Sequence, residues 1–521
     1  MTELEVLFGL LAVTTLLVGV ARRVGIAYPI FLTIAGLALS LIPGLPHIEL
    51  EPEIIFLLFL PPILTSAGFF TPLRDFRANI RAIMLLSLGL VVFTTAIVAL
   101  VAKLLLPELP WAVCFTLGAI VAPPDAIAAT AVAKRLNLPK QLVTIIEGES
   151  LVNDASALVA YRVTVAAALT GVFSLADAGA SFVISSGGGV LVGLAIGLVM
   201  EQLLTRLDDT PVELLLTFIA SFGAYAIAER LHVSGVLATV VLGLYVGRIS
   251  ARVMSSETRV QALPVWEIVV FLLNGLAFIL IGLQLPTIVG EVGGGWQRLL
   301  GPAAAICAAV IVARMVWVFP GAYLPRVLSR RIRQRTAAPQ WQGVAVLGWA
   351  GMRGIVSLAA ALALPKEFPS RDIVIFLTFV VILATLVGQG LTLPAVIRRL
   401  GVRDDGEHER EEDRARLVTA HAGLARLDEL MGEEWAVAAH VADLRGHYEA
   451  RLQRFEARML GQEQHAAAHD DSALAMQRLR RELIDAELTA LLELRDTGTI
   501  NDEVLRTVQR ELDFERVKLE V

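Results

Sequence analysis

The sequence predicts an all-α polytopic membrane protein with thirteen transmembrane helices and a helical C-terminal tail. Three observations lead there. Long apolar runs fill the first 400 residues, basic loops alternate between them, and charged amphipathic segments take over from Gly401.

Of the 521 residues, 56 % are hydrophobic and only 18 % are charged. A soluble globular chain is nearer ~45–50 % apolar and ~25 % charged. The apolar residues crowd before position 401 and the charges after it. The domains read from this are a membrane domain over 1–400 and a soluble tail over 401–521. The net charge of −6 averages two environments, and no nucleic-acid partner is expected. Cys114 and Cys307 lie in apolar runs and fit no metal-ligand or disulfide pattern. The start Met-Thr-Glu-Leu-Glu lacks a basic n-region, so the first apolar run reads as a retained span.

A bilayer core takes about 20 apolar residues per helix. Such runs occur at roughly 4–21, 26–43, 53–70, 81–105, 111–134, 142–170, 181–204, 211–230, 234–248, 264–286, 299–325, 341–365 and 373–397. Runs 8 and 9 are the least separated, with only Leu231–Val233 between them. Lys and Arg in short loops set orientation. One alternating set of loops, including Arg22, Arg77, Lys134, Arg252, Arg331 and Arg399, holds twenty basic residues. The other set holds five: Lys103, Arg230, Arg298, Lys366 and Arg371. The N-terminus is therefore expected outside and the tail in the cytoplasm, with a bacterial inner (plasma) membrane as the place. In the tail, 417–430, 439–460 and 473–494 show helical spacing. A last helix over 504–517 follows Asn501 or Asp502 as cap, and Gly461–Asp471, with His465 and His469, reads as a loop.

An ionisable group at bilayer depth costs at least ~2.5–3.5 kcal/mol, so charges inside apolar spans mark chemistry. Asp125, Glu147, Glu149, Asp154, Arg314 and Arg353 are the candidates. Arg162 lies nearer a span end, where it can snorkel. In span 5, Pro123-Pro124 removes two backbone donors directly before Asp125. Released carbonyls beside a carboxylate suit a hard cation, and irregular backbone persists only inside protein or beside water. Span 12 is interrupted too, with Gly348, Gly351 and Gly354 around Arg353. Two broken helices in corresponding halves point to a midplane site in an inverted-repeat transporter.

Span 6 reads Glu147-Gly-Glu-Ser-Leu-Val-Asn-Asp154. Ser150 and Asp154 are four apart and share a helical face; Glu149 and Asn153 form a neighbouring stripe. Arg314 cannot lose its proton in a protein and is the natural partner for Glu149. Burial disfavours a charged carboxyl and a nearby cation favours it, so a proton and a metal cation compete for Asp154. If the protein changes sides only when that charge is neutralised, competition enforces exchange.

These motifs resemble the monovalent cation:proton antiporter-1 family, the sodium/proton exchangers. The resemblance rests on Phe59-Leu-Pro-Pro-Ile-Leu-Thr-Ser-Ala-Gly-Phe-Phe-Thr-Pro-Leu73, Ala122-Pro-Pro-Asp-Ala126, Gly148-Glu-Ser-Leu-Val-Asn-Asp154, Ile311-Val-Ala-Arg314 and Gly351-Met-Arg-Gly354. It implies an antiporter fold in which Na⁺ binds Asp154 and Ser150, with the Pro124 carbonyl and Asp125 beside them. It also implies a Glu149–Arg314 ion pair. Asn153 and Arg314 imply electroneutral 1:1 exchange of Na⁺ (or Li⁺) for H⁺. The resemblance implies a homodimer with core spans over about 81–170 and 299–397 and dimerisation spans over about 1–70 and 211–286. The third-helix motif usually ends in an acid, and here Ser66 stands there after Thr65. With Glu147, these two are candidates for the cation path. Partners are then the bilayer, a monovalent cation and the proton, with no cofactor. Alternative readings are K⁺/H⁺ exchange on the same fold, a passive cation channel, and an intramembrane aspartyl hydrolase using Asp125 and Asp154. The enzyme reading lacks flanking motifs, so no enzymatic activity is expected.

Overall fold

The computed structural model describes residues 3–43, 53, 55–335, 338–404, 406–433, 435–459, 463–497, 499 and 502–520. The chain divides into two compact units, Met1–Asp404 and Asp405–Val521.

The first unit is all helix among the described residues. It begins with α1 (Glu3–Val24), α2 (Tyr28–Ser40) and α3 (Leu60–Phe70), the last entered through a π-helical turn at Ile55–Phe59. Ile80–Met84 runs through a second π turn, Leu85–Leu90, into α4 (Val91–Leu105). Next come α5 (Trp111–Val121), α6 (Ala126–Arg135) and the long α7 (Lys140–Thr170). They are followed by α8 (Leu175–Leu204), α9 (Thr210–Arg230), α10 (Gly235–Val253), α11 (Ser256–Leu283) and α12 (Leu285–Val292). The unit closes with α13 (Trp296–Leu328), α14 (Trp341–Trp349), α15 (Ile355–Leu362), α16 (Arg371–Leu383), a π turn at Ala384–Gln389, and α17 (Gly390–Leu400). Among the described residues, eight helical stretches are long and apolar enough to cross a membrane.

Local chemistry sets these ends. Asp209, Ser234 and Ser255 each accept a backbone N–H of the turn they open, at 3.0, 3.2 and 3.1 Å; such caps satisfy donors that a helix start leaves free. The close boundary between α9 and α10 is made by His232 at φ 59° and the Ser234 cap. The tenth apolar run reads from about 264, but α11 begins at Ser256 and carries Pro264 inside it. The Ser255 cap, not the proline, sets that end.

Small residues let helices touch. A side chain at Gly243 of α10 would overlap the Thr65 carbonyl of α3, and one at Gly282 of α11 would overlap the Thr33 carbonyl of α2. In a bilayer, where tails are as apolar as leucine, close approach through small residues is a main source of helix association.

The second unit holds α18 (Glu407–Leu430), α19 (Ala438–Met459), α20 (Glu463–Asp496) and α21 (Asp502–Glu520). α18 and α19 are antiparallel, with Asp413 paired to Arg458 and Asp428 to Arg445. Phe455 is buried between them, with the Arg416 guanidinium 5.9 Å from its ring centre. The loop expected at Gly461–Asp471 is corrected: helix starts at Glu463. Ala466-Ala467-Ala468 has high helix propensity, and only Gly461 is a breaker. Gly461 and the candidate cap Asn501 lie outside the described residues.

Candidate functional site

The site forms where helix fails. α5 stops at Val121 and α6 begins at Ala126, leaving Ala122–Asp125 without helical hydrogen bonds. α14 stops at Trp349 and α15 begins at Ile355. The two interruptions meet, since the Asp125 N–H donates to the Met352 carbonyl at 2.6 Å.

Each interruption frees carbonyls at a helix C-terminus, and each set is taken by a buried arginine. Arg353 Nε donates to the Val121 carbonyl at 2.9 Å and Nη2 to the Ala122 carbonyl at 3.3 Å. Its Nη1 donates to the Gly351 carbonyl. Arg314 donates from Nε and Nη2 to the Leu347 carbonyl, at 3.3 and 3.1 Å. A cation at a helix C-terminus is favoured by the macrodipole as well as by the bonds. The Arg353 backbone is fixed in turn by an N–H to Thr385 Oγ1 bond of 3.1 Å from the π turn at 384–389. Widened turns of this kind often mark functional sites.

Arg314 also holds both oxygens of Glu149, at 2.6 and 2.9 Å, and both side chains are 1 % exposed. Glu149 is thereby taken. Among the described residues, Asp125 accepts only the Ile127 N–H, on Oδ1 at 2.8 Å, and its Oδ2 has no partner. Asp154 is buried on α7. Among the described residues, no basic side chain pairs with Asp125 or Asp154.

Asp125, Asp154, Ser150, Pro124, Ser66 and Glu147 line one cavity of about 470 Å³. Glu147 lies 3.6 Å from Lys134, whose side chain is 72 % exposed, so this end of the cavity meets solvent. Five other candidates lie behind the lining. Asn153 is fully buried and donates to the Pro124 carbonyl at 3.4 Å. Thr65 turns to the Ser221 hydroxyl, 2.9 Å away, between helices. Glu149 and Arg314 are behind α7's cavity face, and Arg353 is buried in the break.

The sequence reading missed several polar lining residues, among them Tyr28, Glu267, Asn274 and Ser357. Leu263, Glu267, Val270 and Asn274 all line the cavity at helical spacing, and that spacing was the available signal.

Residues 9–399 match the family model described as sodium/hydrogen exchanger, transmembrane. The chain belongs to the sodium/hydrogen exchanger family. It is thus a multi-pass membrane transporter rather than an enzyme. It is 34 % identical to an uncharacterized Na(+)/H(+) exchanger of Mycobacterium tuberculosis, across 98 % of this chain and 96 % of that one. It is 33 % identical to the Na(+)/H(+) antiporter NhaH of Halobacillus aidingensis, across 75 % of this exchanger and 96 % of that protein. A Bacillus subtilis sodium, potassium, lithium and rubidium/H(+) antiporter is 30 % identical, across 93 % and 73 %. The fold matches the sodium proton antiporter MjNhaP1 of Methanocaldococcus jannaschii, with TM-score 0.60 at 20 % identity, covering 77 % of this chain and 99 % of that one.

Proposed function

We propose that this exchanger swaps one Na⁺ for one H⁺ by alternating access, with Asp154 carrying cation and proton in turn. The observation that carries this is the unequal fate of the buried acids. Glu149 is neutralised by Arg314, while Asp154 and Asp125 face one cavity with no basic side chain paired to either among the described residues, Lys134 on the same cavity being paired with Glu147. A buried unpaired carboxylate is costly and is relieved by a proton or by a metal cation. Ser150 and the Pro124 carbonyl are the neutral ligands nearest in chain and cavity. Asn153 adds no second exchangeable charge, which supports 1:1 electroneutral exchange and a role in pH and sodium homeostasis.

The arrangement goes with thirteen crossings of a bacterial inner membrane, the N-terminus outside and the tail cytoplasmic. α5/α6 and α14/α15 are the two broken helices of an inverted repeat. Core spans over about 81–170 and 299–397 move against homodimer-forming spans over about 1–70 and 211–286. Li⁺ and K⁺ are alternative cargo, because the Bacillus subtilis relative is named for sodium, potassium, lithium and rubidium.

Proteoliposomes with an internal pH dye test the reading. A cation gradient is expected to drive proton movement, reversing with the gradient, and Asp154→Asn is expected to abolish it. Cation flux without proton movement would make the protein a channel, and full activity of Asp154→Asn would remove the site.

A further inference from the structure

We propose that Asn274 is a ligand of the transported cation, supplied by α11, and that Glu267 on the same face draws the cation toward it. The proposal rests on the reading that Asp154 and Asp125 hold the cation.

Leu263, Glu267, Val270 and Asn274 are spaced four, three and four apart, so they form one stripe of α11. All four line the cavity that contains Asp125 and Asp154. The two polar members sit in an otherwise apolar run. Glu267 is exposed, and facing lipid it would carry the cost of an intramembrane charge. Its place on the cavity gives it water instead. Glu267 and Asn274 are seven residues apart, about 10 Å along the axis at the helical rise of ~1.5 Å per residue.

Asn274 is only 2 % exposed. Its amide meets the Tyr28 side chain. The acceptor end, Oδ1, is buried with no partner among the described residues. A buried polar atom left without a partner costs about 1–3 kcal/mol. Asp125 Oδ2 is in the same condition on the same cavity. Two unfilled oxygens, one anionic and one neutral, are what a hard monovalent ion needs when it sheds water, as carbonyl oxygens do in ion filters. A neutral ligand also raises affinity without adding an exchangeable proton. It therefore leaves the one-for-one stoichiometry intact.

The test measures initial rates of the full chain in proteoliposomes against Na⁺, Li⁺ and K⁺ concentration. Loss of one polar contact is worth about a factor of ten. Asn274→Leu and Asn274→Ser are both expected to raise KM for Na⁺ about tenfold, with Vmax within about twofold. Asn274→Asp, which keeps an oxygen at that point, is expected to hold KM at or below wild type. Tyr28→Phe, which frees the amide to rotate, is expected to raise KM less than Asn274→Leu. Glu267→Gln is expected to raise KM at low ionic strength only, since salt screens attraction at the mouth. An unchanged KM in Asn274→Leu and Asn274→Ser would overturn the proposal. So would a fall in Vmax at constant KM shared by Leu, Ser and Asp, which marks a packing residue. Asp154→Asn in the same assay separates the two readings. If it is inactive while the Asn274 variants keep KM, only the Asn274 assignment fails; if it is fully active, the underlying site fails.

Discussion

Arg314 reaches Glu149 with both terminal nitrogens, Nη1 to Oε1 at 2.6 Å and Nη2 to Oε2 at 2.9 Å, and gives its other bonds to the Leu347 carbonyl. It thus ties α7 to the C-terminal end of α14. Removing one member of a buried pair leaves a bare charge and costs about 3–5 kcal/mol. Glu149→Gln and Arg314→Met are each expected to lower the melting temperature sharply in detergent. Arg314→Lys is expected to recover little, because a point charge cannot make the two-point contact. The double variant Glu149→Leu/Arg314→Met is expected to lose less than the sum of the singles, the sign of direct coupling. Near-wild-type melting of either single variant would contradict the pair's structural role.

Gly354 has no room for a side chain. A Cβ there would run into Asp125 Oδ2, and the Asp125 backbone is already fixed by its bond to Met352. Gly354→Ala is therefore expected to push the carboxylate off its place on the cavity wall. Exchange is expected to fall by about tenfold or more, the effect of misplacing a reacting group by about 1 Å being of order 10². Normal yield and elution in gel filtration should accompany that loss. Wild-type rates in Gly354→Ala would mean that the carboxylate position is not critical.

Charge at depth was legible because lipid makes it expensive. Asp125, Glu149, Asp154, Arg314 and Arg353 stand out in the sequence on that ground alone. The break before Asp125 was legible because two prolines lack the donors a helix needs. What Arg353 does was not legible. Its bonds run to Val121 and Ala122, more than 230 residues away, and no spacing encodes them. Asn274 and Tyr28 were missed because an amide and a phenol cost little enough at depth not to attract notice. Thr65 and Ser66 are adjacent, yet one meets Ser221 and the other meets the cavity. Only the packing of α3 on α9 and α10 decides which is which.

At the far end of α7 from Lys134 and Glu147, Arg162 Nη2 donates to both oxygens of Glu229 of α9, at 2.8 and 2.9 Å. Arg371 of α16 lies 3.8 Å from Glu291 of α12. The first pair joins a helix of the proposed core to one of the proposed dimerisation spans, and the second joins one to a helix just beyond them. They should therefore hold shut the end opposite the cavity mouth. These side chains are partly exposed, and such pairs are worth about 0.2–1 kcal/mol each. Glu229→Gln with Glu291→Gln is expected to shift the two-state balance by about two- to fivefold per pair at most. The readout is labelling of Ser357→Cys, in a background with Cys114 and Cys307 replaced by Ala, by an impermeant thiol reagent from the Arg162 side. Equal labelling with and without the two pairs would show that they do not bias the balance.

Ser66 offers the sharpest contrast with its neighbour. It lines the cavity on α3, where a carboxylate would join Asp125 and Asp154 around the same space. Two unit charges roughly 10 Å apart interact by about 1.7 kcal/mol at an effective dielectric of ~20. Ser66→Asp is therefore expected to fold and to lower KM for Na⁺ by about twentyfold, the change that such an energy implies. Thr65→Asp places the same group one residue away, against Ser221 and the Thr239 carbonyl. There it is buried with no basic partner among the described residues, so yield and melting temperature are expected to fall. Transport rates against Na⁺ concentration and melting curves on both variants decide the matter. If Thr65→Asp lowers KM and Ser66→Asp does not, the cation approaches by a face of α3 other than the one on the cavity.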